Sequence, residues 1–243
     1  MNEDLDNIQY SPIRNYDYGQ WFKDVQYNGK TLSDSERKEL VTVLNKTIDQ
    51  YSNGLPWIQN VLNSIDGLTD EFHVVERTVV SIMLFVQITM IDSIVASKYF
   101  ILSDMDYDRR FMRGKLFVIL NEGFKKLYGF DTKTYRNSEW DRLLPLMRFF
   151  PKEINCQYQE LTLHLEKQSK SFSWWRDERN SETHLLAEDL YKSRQVEIIE
   201  SRVMMDSMKL FCSLDAVDHF LSDAYICINN FLIQKYRNGE LKE

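Results

Sequence analysis

Hydrophobic positions along the chain recur every three or four residues, and no stretch alternates apolar and polar residues at a strand's period of two. The first such stretch is Leu40, Val41, Leu44 and Ile48. It follows Ser33-Asp34-Ser35-Glu36, whose serine and glutamate stand at capping-box spacing and set a helix start. Asn53-Gly54 predicts its end, since glycine accepts the left-handed backbone of a helix terminus. A short helix is then expected from Pro56 towards Ile65, stopped by Gly67. A long helix is predicted from about Asp70 to Leu102, broken by Asp104-Met105-Asp106. The next runs from about Asp108 to Leu127, with Phe111, Leu116, Phe117, Leu120 and Phe124 on its buried side. Gly129 and Asp131-Thr132 read as a turn. A helix from about Ser138 to Phe149 carries Pro145 as a kink, and Pro151 opens another that runs to about Gln168. Ser169 to Ser173 reads as a connection, followed by helices over about Trp174 to Ser193 and from there to about Tyr236.

The fold class expected is therefore all-α, a bundle of long antiparallel helices. Composition agrees: 8 Gly and 4 Pro in 243 residues supply few tight turns, which a sheet protein would need in number. With 43% hydrophobic residues the chain can bury a sizeable core. Residues 1–30 differ, with Tyr10, Tyr16, Tyr18, Trp21, Phe22 and Tyr27 scattered without period. They read as an irregular aromatic arm preceding a single helical domain over residues 31–243. The first ten residues are acidic and lack an apolar centre, unlike a signal peptide. The most apolar stretch, Val79 to Ile91, is shorter than the roughly 20 residues a membrane span takes, so a core helix and no membrane partner are expected.

A formal net charge of -7 repels phosphate backbones at long range, so any contact with nucleic acid needs a local basic patch. Arg109, Arg110, Arg113 and Lys115, with Lys125 and Lys126 downstream, are the candidate; a solvated helix face is the competing reading. The 3 cysteines, Cys156, Cys212 and Cys227, are widely spaced and fit neither a disulfide framework nor a zinc site, so buried thiols in a cytoplasmic protein are expected. Asp70/His73, Glu160/His164 and Asp215/His219 have helical spacing, but no Glu-x-x-His occurs, and ion pairs are expected rather than a metal site. No cofactor is expected.

One segment concentrates polar chemistry. Trp174-Trp175-Arg176-Asp177-Glu178-Arg179-Asn180-Ser181-Glu182-Thr183-His184 spaces Arg176, Asn180 and His184 by four, which would stack them on one helix face. Histidine can move a proton near neutrality, and an arginine fork neutralises charge on a phosphate. Trp175 could stack a base, and a core anchor is the alternative for it. Arg179 to His184 reads R-N-x-x-x-H and resembles the signature of HEPN domains, all-helical and usually dimeric proteins of which many are metal-independent endoribonucleases. The resemblance implies Arg179 and His184 as a catalytic pair with Asn180 as polar helper. Arg176 beside the motif, Trp175 as a stacking platform, and Arg109, Arg110 and Arg113 of the basic run are the candidate substrate-binding residues for RNA. The resemblance places the HEPN-like portion at about 70–236, a motif pair across a homodimer, and a role in toxin–antitoxin or antiphage systems. The tyrosine that one subgroup carries two residues after the histidine is Leu186 here. A helical interaction protein binding another chain, without catalysis, is the second expectation.

Overall fold

The computed structural model describes residues 33–172 and 200–241. Among these, the chain forms helices and no strand, as an all-α bundle. In chain order they are α1 (Asp34–Ser64), α2 (Glu71–Leu102), α3 (Asp106–Leu127), α4 (Thr132–Tyr135), α5 (Glu139–Leu143), a 3-10 segment (Leu144–Phe149), α6 (Lys152–Phe172) and α7 (Glu200–Arg237).

Helix starts follow local chemistry. Ser33 accepts from the Glu36 amide at 3.4 Å while the Glu36 carboxylate accepts from the Ser33 amide at 2.7 Å, satisfying two donors that the first turn leaves without a partner. Asp70 accepts from the amides of Phe72 and His73 at 3.1 and 3.2 Å and opens α2. Arg77 of α2 reaches back to the carbonyls of Ile65 and Leu68, closing the α1–α2 link.

α2 is the hub, packing against α1, α3 and α7, while α7 also packs on α6 and α3. Its apolar residues lie on nearly every side, including Val75, Val79, Val80, Ile82, Met83, Val86 and Met90. By length and hydropathy this 32-residue helix also meets the requirement for a membrane span, with 56% of its most apolar window buried inside the fold. The main core joins these side chains to Leu116, Leu120 and Phe124 of α3, Ile154 and Leu165 of α6, and Leu210, Leu214, Val217 and Leu221 of α7. Burying each such side chain contributes about 1.5–3 kcal/mol. A second, smaller core gathers Leu40 and Leu44 of α1 with Ile94, Phe100 and Ile101 of α2.

α5 is anchored by Trp140, fully buried and stacked on Tyr158 of α6 at 4.8 Å between ring centroids. The Trp140 indole donates to Thr162 Oγ1 at 2.8 Å, and the Tyr158 hydroxyl donates to the Trp140 carbonyl at 3.1 Å. Asn155 Nδ2 donates to the carbonyls of Met147, Phe150 and Pro151, latching the 3-10 segment to α6.

Several expectations are corrected. Gly54 and Pro56 do not divide α1, which is continuous through both. Tyr51 and Ile58, on either side of them, are buried in the main core and hold the helix together. Phe111 is 42% exposed rather than buried. Five residues before Leu116, it lies about 140° around the helix from that buried position. The expected helix over Ser138 to Phe149 is instead α5 and the 3-10 segment, which changes pitch where Pro145 removes an N–H. α4 forms where a turn was expected. Residues 169–172 continue α6 instead of leaving it, helped by the Lys170–Glu166 pair one turn apart at 3.0 Å. Cys156 is exposed, two residues from the buried Ile154 and Tyr158 and so on the opposite face of α6.

Candidate functional site

The motif residues Trp175, Arg176, Arg179, Asn180 and His184 lie outside the described residues. They belong to the segment joining α6 and α7, two helices packed on each other.

The three arginines from the basic run sit at the start of α3 and differ in environment. Arg109 donates through Nε and Nη2 to the Ser103 carbonyl at 3.2 and 3.0 Å, closing the C-terminal end of α2. Arg110 pairs with Asp106 one turn earlier at 3.2 Å. Arg113 is buried. Lys115 is exposed, with its ammonium 5.2 Å from the centre of the Phe111 ring.

Polar groups also run through the core along α7. Tyr51 of α1 donates a hydrogen bond to Asp215. Gln87 of α2 donates through Nε2 to both oxygens of Asp218, at 3.1 and 3.3 Å, while its own Oε1 is buried without a hydrogen-bond partner. Burial pushes the Asp218 carboxyl up to about 6; the Gln87 bond offsets part of that. The signal for this pair was present in sequence, because Gln87 interrupts an otherwise apolar run and a buried amide needs a partner.

The histidine pairs take different forms. His73 is buried between Asp70, which faces its Nδ1, and the Tyr236 hydroxyl, 3.0 Å from Nε2. This chain of contacts ties the start of α2 to the end of α7. His164 faces Ser213 of α7 at 3.0 Å rather than Glu160, and burial followed by the charge of Lys167 lowers its pKa. Ser213 is fully buried and donates to the Lys209 carbonyl at 3.0 Å, so this histidine–serine contact is a packing bond rather than an exposed nucleophile. Among the described residues no three histidine, cysteine or carboxylate side chains group with metal-site geometry.

A cleft of about 460 Å³ opens between the last turns of α3 and the residues around α4, lined by Glu122, Lys125, Lys126, Lys133, Thr134 and Asn137. Lys125 and Lys126 belong to the basic residues that the sequence points to; Lys133 carries no such signal, and the Gly129 turn brings it back beside them. At Gly129 φ is 89°, and an added Cβ would lie 2.5 Å from the Tyr135 amide nitrogen, so only glycine allows this approach. The Lys125 ammonium stands 3.8 Å from Glu122, and that of Lys126 stands 4.0 Å from Glu139 and 4.7 Å from the Phe85 ring centre.

Comparison with protein-family models, with curated proteins and with solved structures finds no match to the chain.

Proposed function

We propose that this chain is an HEPN-like, metal-independent endoribonuclease of a toxin–antitoxin or antiphage defence system, working in the cytoplasm as a homodimer. The observation that carries the reading is the hexapeptide Arg179 to His184, with Asn180 after the arginine. The all-helical character of the described residues supports it, because the resembled family is all-helical.

In this reading His184 takes the proton of a ribose 2′-hydroxyl, and the oxygen attacks the adjacent phosphorus. The bond from phosphorus to the 5′-oxygen breaks, and that oxygen takes a proton from water. The products are a 2′,3′-cyclic phosphate and a 5′-hydroxyl. Arg179 neutralises charge on the pentacoordinate phosphorus, and Asn180 orients one of the two.

The test is incubation of total cellular RNA with the pure full-length protein in EDTA, beside His184→Ala and Arg179→Ala. Cleavage leaving cyclic phosphate ends, reduced at least about a hundredfold in His184→Ala, is the expected result. Equal cleavage by all three proteins removes His184 from the chemistry. Absence of cleavage by all three favours the second reading, a non-enzymatic helical interaction protein. That reading draws on the exposed apolar side chains around the α2–α3 junction: Tyr99, Leu102, Met105 and Tyr107.

A further inference from the structure

The cleft between α3 and α4 gathers positive charge in a chain whose net charge is -7. Lys125 and Lys126 come from the last turn of α3, where a cation also favours the helix dipole. That account does not reach Lys133, which arrives from the far side of the Gly129 turn and forms no ion pair within the described residues. Among the described residues, none of the three ammonium groups donates a hydrogen bond to the protein. The two carboxylate contacts, at 3.8 and 4.0 Å, are beyond hydrogen-bond length, and Glu139 is already engaged by Arg142. Glu122 lines the same cleft and offsets one of the three charges; an anion between the lysines relieves the repulsion that remains and takes up donors that no described residue uses.

The walls are fixed before any ligand arrives. Phe124 and Leu127, on either side of Lys125 and Lys126 in sequence, are buried in the main core and fix this last turn of α3. Asp131 accepts from the Thr134 amide at 2.8 Å and holds the turn that carries Lys133. The Asn137 side chain donates to the Lys133 carbonyl at 2.8 Å. A backbone already fixed does not have to be ordered when a ligand binds. The volume, about 460 Å³, lies within the range of small-ligand sites.

We propose that this cleft binds a small anion bearing two or more phosphate groups, with Lys125, Lys126 and Lys133 as its ligands. The proposal rests on Lys125, Lys126 and Lys133 and not on the Arg179 to His184 motif, which lies outside the described residues. The probe is inorganic tripolyphosphate, titrated calorimetrically into the full-length protein at low ionic strength, beside a single-stranded oligouridine. Lys133→Gln and Lys126→Gln are compared with Lys46→Gln, which removes the same charge from an exposed position on α1. Far-ultraviolet circular dichroism confirms that each variant is folded.

The expected result is saturable one-site binding of tripolyphosphate, weakened about tenfold by each cleft variant and unchanged by Lys46→Gln. No saturable binding at millimolar tripolyphosphate overturns the proposal. So does equal weakening by all three variants, which would report net charge alone. Oligouridine binding that depends on Lys126 and Lys133 without tripolyphosphate binding also overturns it, by making the occupant a nucleic acid.

Discussion

Asp218 shows how one carboxyl can set the pH response of the whole fold. It is buried on α7, and its pKa is raised from the usual 3.8 to about 6. Burial is the main cause, with Asp215 adding to it and Gln87 and His219 opposing it. Below about pH 4 the carboxyl is protonated folded or unfolded and costs nothing. As pH rises towards 6 the unfolded chain ionises it readily, whereas the folded chain must ionise it in the interior. Stability from this group is therefore lost between about pH 4 and pH 6 and stays lost above. A shift of about two units, at roughly 1.4 kcal/mol each, sets an upper limit near 3 kcal/mol. Asp218→Asn keeps an oxygen for Gln87 to donate to and removes the charge, although its new amide N–H gives back part of the gain. Urea unfolding should show the variant about 1–2 kcal/mol more stable than wild type at pH 7.5 and no more stable at pH 4.5. A variant less stable at pH 7.5, or displaced equally at both pH values, would contradict this account.

Between elements, two glycines set distances rather than ends. Gly123 of α3 faces Thr89 of α2 so closely that an added Cβ would stand 2.6 Å from Thr89 Cγ2. Thr89 cannot turn away easily, because its hydroxyl donates to the Phe85 carbonyl at 2.8 Å and its branched side chain is stiff in a helix. Gly123→Ala should gain about 1 kcal/mol of helix propensity and lose about 1–3 to overpacking. The expected net is a lower melting temperature, restored by adding Thr89→Ser, which keeps the hydroxyl and removes the methyl. If the single variant melts higher than wild type, the close approach is not a constraint. Gly54 acts similarly in α1, where an added Cβ would lie 3.3 Å from Gln87 Oε1. Asn53-Gly54 and Pro56 are therefore not a helix end, although local signals alone make them one. Glycine there serves close packing on α2, and the buried Tyr51 and Ile58 carry the helix across a proline that alone would break it. Where no tertiary contact competes, local signals sufficed: the Ser33–Glu36 box and the Asp70 cap lie where the pattern put them.

For the molecule as a whole, periodicity announced the helices and the all-α class but not their arrangement around α2. Phe111 and Cys156 show the limit. Residue type alone points both inward, whereas rotation about each helix decides. The cleft was half legible, since Lys125 and Lys126 stand in one run while Lys133 joins them only through a turn that glycine permits. Two cores of unequal size further imply unequal local stability. In amide hydrogen exchange, residues 79–90 of α2 should exchange only through global unfolding. Residues 36–48 of α1, resting on the small core of Leu40, Leu44, Ile94, Phe100 and Ile101, should open earlier. Equal protection of the two stretches would mean that the cores unfold as one.

The three thiols differ in a way that has a practical meaning. Cys227 is buried, Cys212 is half-buried with burial pushing its thiol up to about 12, and Cys156 is exposed on α6. Only the last offers an accessible sulfur to an alkylating reagent at neutral pH. The native chain thus carries its own address for a single fluorophore or spin label, on the helix that leads into the segment bearing Arg179 and His184. Ligand-induced movement there can be followed without engineering a cysteine.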